Sequence, residues 1–131
     1  MLEHKHIILK SRVNNPPGKD QIETINEWMR DLVDKIDMKI LMGPFTVYSD
    51  MIGNRGMTSA TIIETSHIVM HTWDEEDPGT IQLDIYTCST LDTDVVLEHF
   101  EVFDPVEVSW LFIDRKLEQI ALEKSYNLVV K

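Results

Sequence analysis

Between Thr58 and Cys88 the chain places hydroxyls at Thr58 and Ser66, imidazoles at His67 and His71, and its single thiol at Cys88. Groups of these types attack carbonyls or carry protons. Ser66, His71 and Cys88 are the leading chemical candidates, with Thr58 close behind. A serine beside a histidine suggests a nucleophilic hydrolase, yet no Gly-x-Ser-x-Gly elbow surrounds Ser66 and its context is not strand–turn–helix. Zinc held by His67, His71 and Cys88 fits poorly. The two histidines are four residues apart, about 13 Å along an extended strand, so one ion cannot reach both and no metal is expected. Taken singly, a histidine in a strand is more often a satisfied structural residue, and a lone cysteine a small buried hydrophobe.

The elements that must position these groups follow from periodicity and turn chemistry. Residues 4–13, containing "HIILKSRV", predict a first strand. "NNPPGKD" (14–20) is a turn, because two prolines and a glycine cannot continue a strand interior. Ile22, Ile25, Met29, Leu32 and Ile36 recur at spacings of three and four, which predicts an amphipathic helix of about four turns. A strand is expected around 38–42, broken by Gly43-Pro44, then a short strand in "FTVYSD" and a loop at "GNRG" (53–56). Residues 59–64 and 67–73 read as strand with a kink between them, and "DEEDPG" reads as a turn. In 80–88, Ile81, Leu83 and Ile85 alternate with polar partners, as in a half-buried strand. A second helix is expected over 92–103, capped by Asp92 or Thr93 and stopped by Asp104-Pro105. Val106, Val108, Trp110 and Phe112 alternate in a further strand, and the tail from 116 predicts a short helix and then a strand. The order implies an α+β, two-layer sandwich: helices on one face of a largely antiparallel sheet. Its other face then presents alternate apolar residues that need a partner, so a homodimer is the economical expectation.

Composition bounds the rest. The 131 residues suit a single domain, 1–131, with a real core. Twelve basic against 23 acidic residues, a formal charge of −11, argue against nucleic acid as partner, because phosphate contacts need clustered Lys and Arg. Such a surface suits a cationic small molecule, although acidic surfaces also simply keep proteins soluble. "MLEHKHIILKSR" is too charged for a signal peptide, no apolar run approaches membrane-spanning length, and one cysteine allows no intrachain disulfide. A cytoplasmic protein without a membrane partner is therefore expected.

The whole pattern says more than its parts. "IETSHIVMHTWDEE", followed by "IQLDIYTCS", resembles the prokaryotic S-adenosylmethionine decarboxylases, small pyruvoyl-dependent enzymes. The elements that carry the resemblance are Ser66-His67, His71-Thr72-Trp73, Glu75 and Tyr86-Thr87-Cys88, within about 58–89. It implies that the chain makes its own cofactor. The Ser66 hydroxyl would attack the preceding carbonyl, an N-to-O acyl shift would give an ester, and β-elimination would cut the chain between Thr65 and Ser66. Ser66 would then become the pyruvoyl group, whose ketone takes up the substrate amine and serves as an electron sink when carbon dioxide leaves. By matching positions, His71 would handle protons, as imidazoles do near neutral pH. Thr58 would stand for a processing serine, and Cys88 would protonate the product carbon. Glu75 would hold ribose hydroxyls, while Trp73 would stack on adenine or meet the sulfonium by cation–π attraction. Decarboxylated S-adenosylmethionine of this kind feeds spermidine and other polyamine synthesis.

The chain departs from the family at Thr65, where glutamate is usual, and at Asp74, where proline is common. Two alternatives stay open: a non-processing homologue acting as a dimeric nucleoside-binding or regulatory module, and a pyruvoyl decarboxylase of another amino acid such as arginine or ornithine. Spacing adds one constraint. Ser66 and His71 lie about 16 Å apart along an extended strand, with side chains on opposite faces. A site using both requires a sharp bend or a histidine from a symmetric mate. The resemblance favours the mate, with Thr58 and His71 contributed across the interface of a four-layer αββα dimer.

Overall fold

The computed structural model describes residues 3–116 and 118–129. Seven strands and two helices follow in the order β1 (Lys5–Val13), α1 (Ile22–Lys35), β2 (Ile40–Ser49), β3 (Gly56–Ile63), β4 (Ser66–Trp73), β5 (Gly79–Thr87), α2 (Thr93–Phe100), β6 (Pro105–Asp114) and β7 (Ala121–Val129). All seven strands form one sheet in the order β2-β3-β4-β5-β1-β6-β7, and each neighbouring pair is antiparallel. The α+β architecture expected from the sequence is present.

Alternation decides which face each residue serves. Ile7 and Leu9 of β1, Ile68 and Met70 of β4, and Ile81, Leu83 and Ile85 of β5 are buried under the helices. Their neighbours His6, Ile8, His67, His71, Gln82 and Asp84 point to the open face. From α1, Ile25, Met29 and Leu32 enter the core as the spacing predicts, joined by Trp28 and Val33. Asp37, in the left-handed region at φ 59°, turns the chain from α1 into β2, a conformation Asp tolerates better than most residues. Asp92 caps α2 by accepting the Asp94 N–H at 2.9 Å. This helix is shorter than expected, giving way to a 3-10 turn at Glu101–Phe103 before Pro105 opens β6.

Three local expectations are corrected. Gly43-Pro44 does not break the strand, because β2 runs on through bulges between Ile40 and Phe45. Only glycine fits there: Gly43 sits at φ 100°, and a Cβ would lie 2.9 Å from the Ala60 carbonyl oxygen. The segment between 64 and 67 is no kink. Glu64 and Thr65 form the two-residue turn of a hairpin in which Ile63 pairs with Ser66. The tail holds no helix among its described residues, and bends at 116 and 118–119 lead directly to β7.

Candidate active site

The hairpin turn presents the Thr65–Ser66 peptide at one end of β4. Ser66 has φ 140°, in a region that side-chain-bearing residues rarely adopt. A conformation of this kind costs on the order of 1–3 kcal/mol and persists only where its surroundings impose it. The sheet supplies the constraint. Ser66 pairs with Thr87 of β5, so the next residue, Cys88, directs its backbone N–H onto the Thr65 carbonyl oxygen at 2.8 Å. The Cys88 carbonyl in turn accepts the Glu3 N–H at 3.2 Å. The Thr65 hydroxyl contacts Met38 Sδ at 3.2 Å, fixing the other side of the turn. One strained peptide therefore carries a serine hydroxyl on one side and a polarised carbonyl on the other, with the only thiol next to it.

His71 lies toward the opposite end of β4. It pairs with Thr58 of β3, and Thr58 Oγ1 meets His71 Nδ1 at 3.0 Å. Gly56 makes this pairing possible, since a Cβ there would fall 1.6 Å from the Thr72 carbonyl oxygen. A cavity of about 230 Å³ opens beside the pair, reaching Asn54 and Trp73. A second, of about 320 Å³, lies against Trp73, Glu75, Arg55, Lys10, Arg12 and Gln82. Trp73 donates its indole N–H to Asn54 Oδ1 at 2.8 Å. One oxygen of Glu75 accepts the backbone N–H groups of Gly53 (2.7 Å) and Arg55 (3.0 Å), which leaves the other carboxylate oxygen for a ligand.

Thr58, His71, Trp73 and Glu75 are thus gathered at one end of the sheet, and Thr65, Ser66 and Cys88 at the other. β4 runs unbroken between the two groups, so no bend brings Ser66 to His71 within one chain. Between them lies a patch that residue types alone did not reveal. Asp84 Oδ1 contacts His6 Nε2 at 2.7 Å and His67 Nε2 at 3.4 Å. Tyr86 meets His4 through its hydroxyl at 2.9 Å and carries the Arg115 guanidinium 3.8 Å above its ring. Burial alone raises the Asp84 carboxyl, but the His6 hydrogen bond and the His6 and His67 charges outweigh it, leaving the group below its ordinary range. His6 and Asp84 lie on strands far apart in sequence, so only the register of β1 on β5 unites them. Gly53, Asn54 and Arg55 escaped notice for a related reason, since "GNRG" reads only as a loop. Among the described residues, no group of three or more His, Cys, Asp or Glu side chains is placed to hold a metal ion.

Comparison with known proteins gives this geometry its context. The S-adenosylmethionine decarboxylase family profile matches residues 5–116. The chain belongs to the S-adenosylmethionine decarboxylase family. A Clostridium botulinum protein named S-adenosylmethionine decarboxylase proenzyme is 37% identical over 84 residues, covering 64% of this chain and 67% of the relative. An Archaeoglobus fulgidus protein of the same name is 33% identical over 86 residues, covering 65% of this chain and 72% of the relative. The family expected from Ser66-His67, His71-Thr72-Trp73 and Tyr86-Thr87-Cys88 is therefore the family found.

Proposed function

We propose that the chain is the proenzyme of a pyruvoyl-dependent S-adenosylmethionine decarboxylase, working in the cytoplasm to supply decarboxylated S-adenosylmethionine for polyamine synthesis. The observation that carries this reading is the Thr65–Ser66 peptide, with Ser66 at φ 140° and the Thr65 carbonyl held by the Cys88 N–H at 2.8 Å. Attack by Ser66 Oγ on the Thr65 carbonyl carbon forms a C–O bond and moves negative charge onto the oxygen that Cys88 already contacts. A fixed N–H aimed at a developing oxyanion lowers the barrier because it need not reorganise during the step. Breaking the C–N bond releases the strained backbone and leaves an ester. Loss of the Ser66 α-proton then expels Thr65 as a carboxylate, and hydrolysis of the resulting enamine releases ammonia and leaves the keto group.

That group, once formed, supplies an electron sink for decarboxylation. The chain's own residues do the remainder. Cys88, adjacent to the new terminus, returns a proton to the product carbon. Trp73 offers an aromatic face for adenine or the sulfonium, and the free Glu75 oxygen accepts from ribose hydroxyls. The acidic surface favours approach of a cationic substrate. Because Ser66 and His71 occupy opposite ends of β4, His71 and Thr58 act on the Ser66 of a second copy. Two open sheet faces stacked about a twofold axis form the αββα dimer, each site shared between protomers. On this reading the whole chain, 1–131, is one domain cut once, between Thr65 and Ser66.

The test is carbon dioxide release from carboxyl-labelled S-adenosylmethionine by the purified protein and by Ser66→Ala. Activity in the first that is abolished by a hydrazine reagent, with none in the second, is the expected result. Turnover by Ser66→Ala would refute a pyruvoyl route. Binding without turnover by unmodified protein would make the chain a non-processing module, and turnover of arginine or ornithine instead would change the substrate.

A further inference from the structure

Trp73 and Glu75 belong to the end of β4 and the segment just beyond it, where a strand's hydrogen bonds run out. The structure shows how this edge is held. Loop residues 51–55 grip it from the open face: Asn54 takes the Trp73 indole, and the Gly53 and Arg55 N–H groups take Glu75. The Asp74 N–H donates to the Arg55 carbonyl at 3.2 Å, and Asn54 N–H to Met51 at 2.9 Å. Asp74 itself points the other way, toward the helix side. There the Tyr48 hydroxyl sits 3.0 Å and 2.9 Å from its two carboxylate oxygens. Tyr48 is the penultimate residue of β2, pairs with Met57 and packs against the main core, so its ring is fixed independently of the loop.

We propose that Tyr48 is a positioning residue for the ligand-binding edge. Its hydroxyl fixes Asp74 from behind the sheet, and Asp74 in turn sets Trp73 and Glu75, its neighbours on either side, facing the open side. Tyr48 touches no ligand; it ties the substrate edge to the rigid end of β2. Two properties of the pair support this. Tyrosine is the only donor in the contact, and burial first, then the Asp74 hydrogen bond, keep its phenol protonated. Asp74 accepts with both oxygens, which fixes the carboxylate's rotation as well as its position. The ligand-binding role rests on the assignment of Trp73 and Glu75 proposed above, so the experiment has one arm that does not depend on it.

That arm is amide hydrogen exchange at Gly53 and Arg55, whose N–H groups are bonded to Glu75, compared between unmodified protein and Tyr48→Phe. Phenylalanine keeps the core packing and removes only the hydroxyl; Asp74→Ala removes the other partner should Tyr48→Phe fold poorly. Both variants are expected to exchange these amides about tenfold faster, the scale of one lost hydrogen bond to a charged group. Asp74→Asn, which keeps an acceptor for the Tyr48 hydroxyl, should stay near the unmodified rate. The second arm is kinetic: KM for S-adenosylmethionine should rise about tenfold in Tyr48→Phe, with kcat within about twofold and the rate of self-cleavage unchanged. Unchanged exchange in both variants overturns the proposal. So does faster exchange with an unchanged KM, which would leave the strut without a role in binding. If unmodified protein neither binds nor turns over the substrate, the functional reading fails while the exchange arm still decides whether Tyr48 holds the edge.

Discussion

At Ser66 a backbone angle and a side chain serve one end. A serine in a relaxed strand would present the same hydroxyl, but the peptide before it would lose nothing by staying intact. Under the proposed reading, cleavage of the Thr65–Ser66 amide would relieve a φ of 140°, and the Cys88 N–H would stabilise the charge that forms. The proton taken from Ser66 must go to a base, and a positioned base contributes on the order of 10²–10⁴-fold to such a step. His71→Ala should therefore slow conversion of the intact chain by about that range, followed on denaturing gels after synthesis. Thr58→Ala, which loses only the 3.0 Å contact orienting the imidazole, should slow it less. Equal rates in all three proteins would remove His71 from the mechanism. Residue types made Ser66, His71, Cys88 and Thr58 candidates in the sequence, and the family resemblance added Trp73 and Glu75. They could not reveal the donor held against the Thr65 carbonyl, because it is the Cys88 backbone N–H and every residue but proline has one. Nor could they reveal that Glu75 spends one oxygen on the Gly53 and Arg55 amides.

The hairpin of β3 and β4 is the element that organises the site, and its two ends are held by different means. At the Ser66 end the two-residue turn sets the register; at the His71 end Gly56 lets the Thr72 carbonyl approach. Gly56→Ala would force that carbonyl away and should cost at least about 2 kcal/mol in a chemical-denaturation measurement, with loss of processing because Thr58 and His71 shift together. The helices meet through a second device. His99 of α2 directs Nε2 to the Trp28 carbonyl at 2.8 Å, so Nε2 carries the hydrogen and Nδ1 is the acceptor facing Lys35 at 3.1 Å. Burial first, and then the Lys35 charge, favour the neutral ring and lower the His99 pKa below 6.5, although the Trp28 carbonyl and Asp31 oppose the shift. Below that pH the unfolded chain binds the extra proton more readily, so stability is full above 6.5 and falls as pH drops toward the folded-state value. His99→Gln should flatten that fall in pH-dependent thermal melts. Periodicity revealed α1 because burial on one helical face leaves a repeat, and the Asp92 or Thr93 cap with the Asp104-Pro105 stop revealed α2. It missed the continuity of β2 and the turn at Glu64-Thr65, because a bulge and a two-residue hairpin leave almost no pattern, and neither residue of that turn is a glycine or asparagine.

For the molecule as a whole, the open sheet face is the feature that remains to be satisfied. Ile8, Phe45, Val47, Ile62 and Leu111 are exposed on it around the Asp84 patch, an apolar surface that the proposed second copy would cover. Alternation along each strand made this face legible from the sequence, whereas the ring of His6, His67 and Tyr86 at its centre depended on strand order, which no local pattern encodes. If sites are shared, defects should complement. A His71→Ala chain co-expressed with a Ser66→Ala chain meets an intact His71 across the interface, so the His71→Ala chain should be cut. Failure to cut in mixed dimers would place the whole reaction within one protomer. The central claim, that the chain makes its cofactor by breaking its own backbone, is tested most directly by intact mass of freshly purified protein. Two fragments are expected, residues 1–65 and residues 66–131, the second lighter than its sequence mass by one ammonia, as its terminal serine becomes a pyruvoyl group. A single uncut mass that persists on incubation at neutral pH would contradict it.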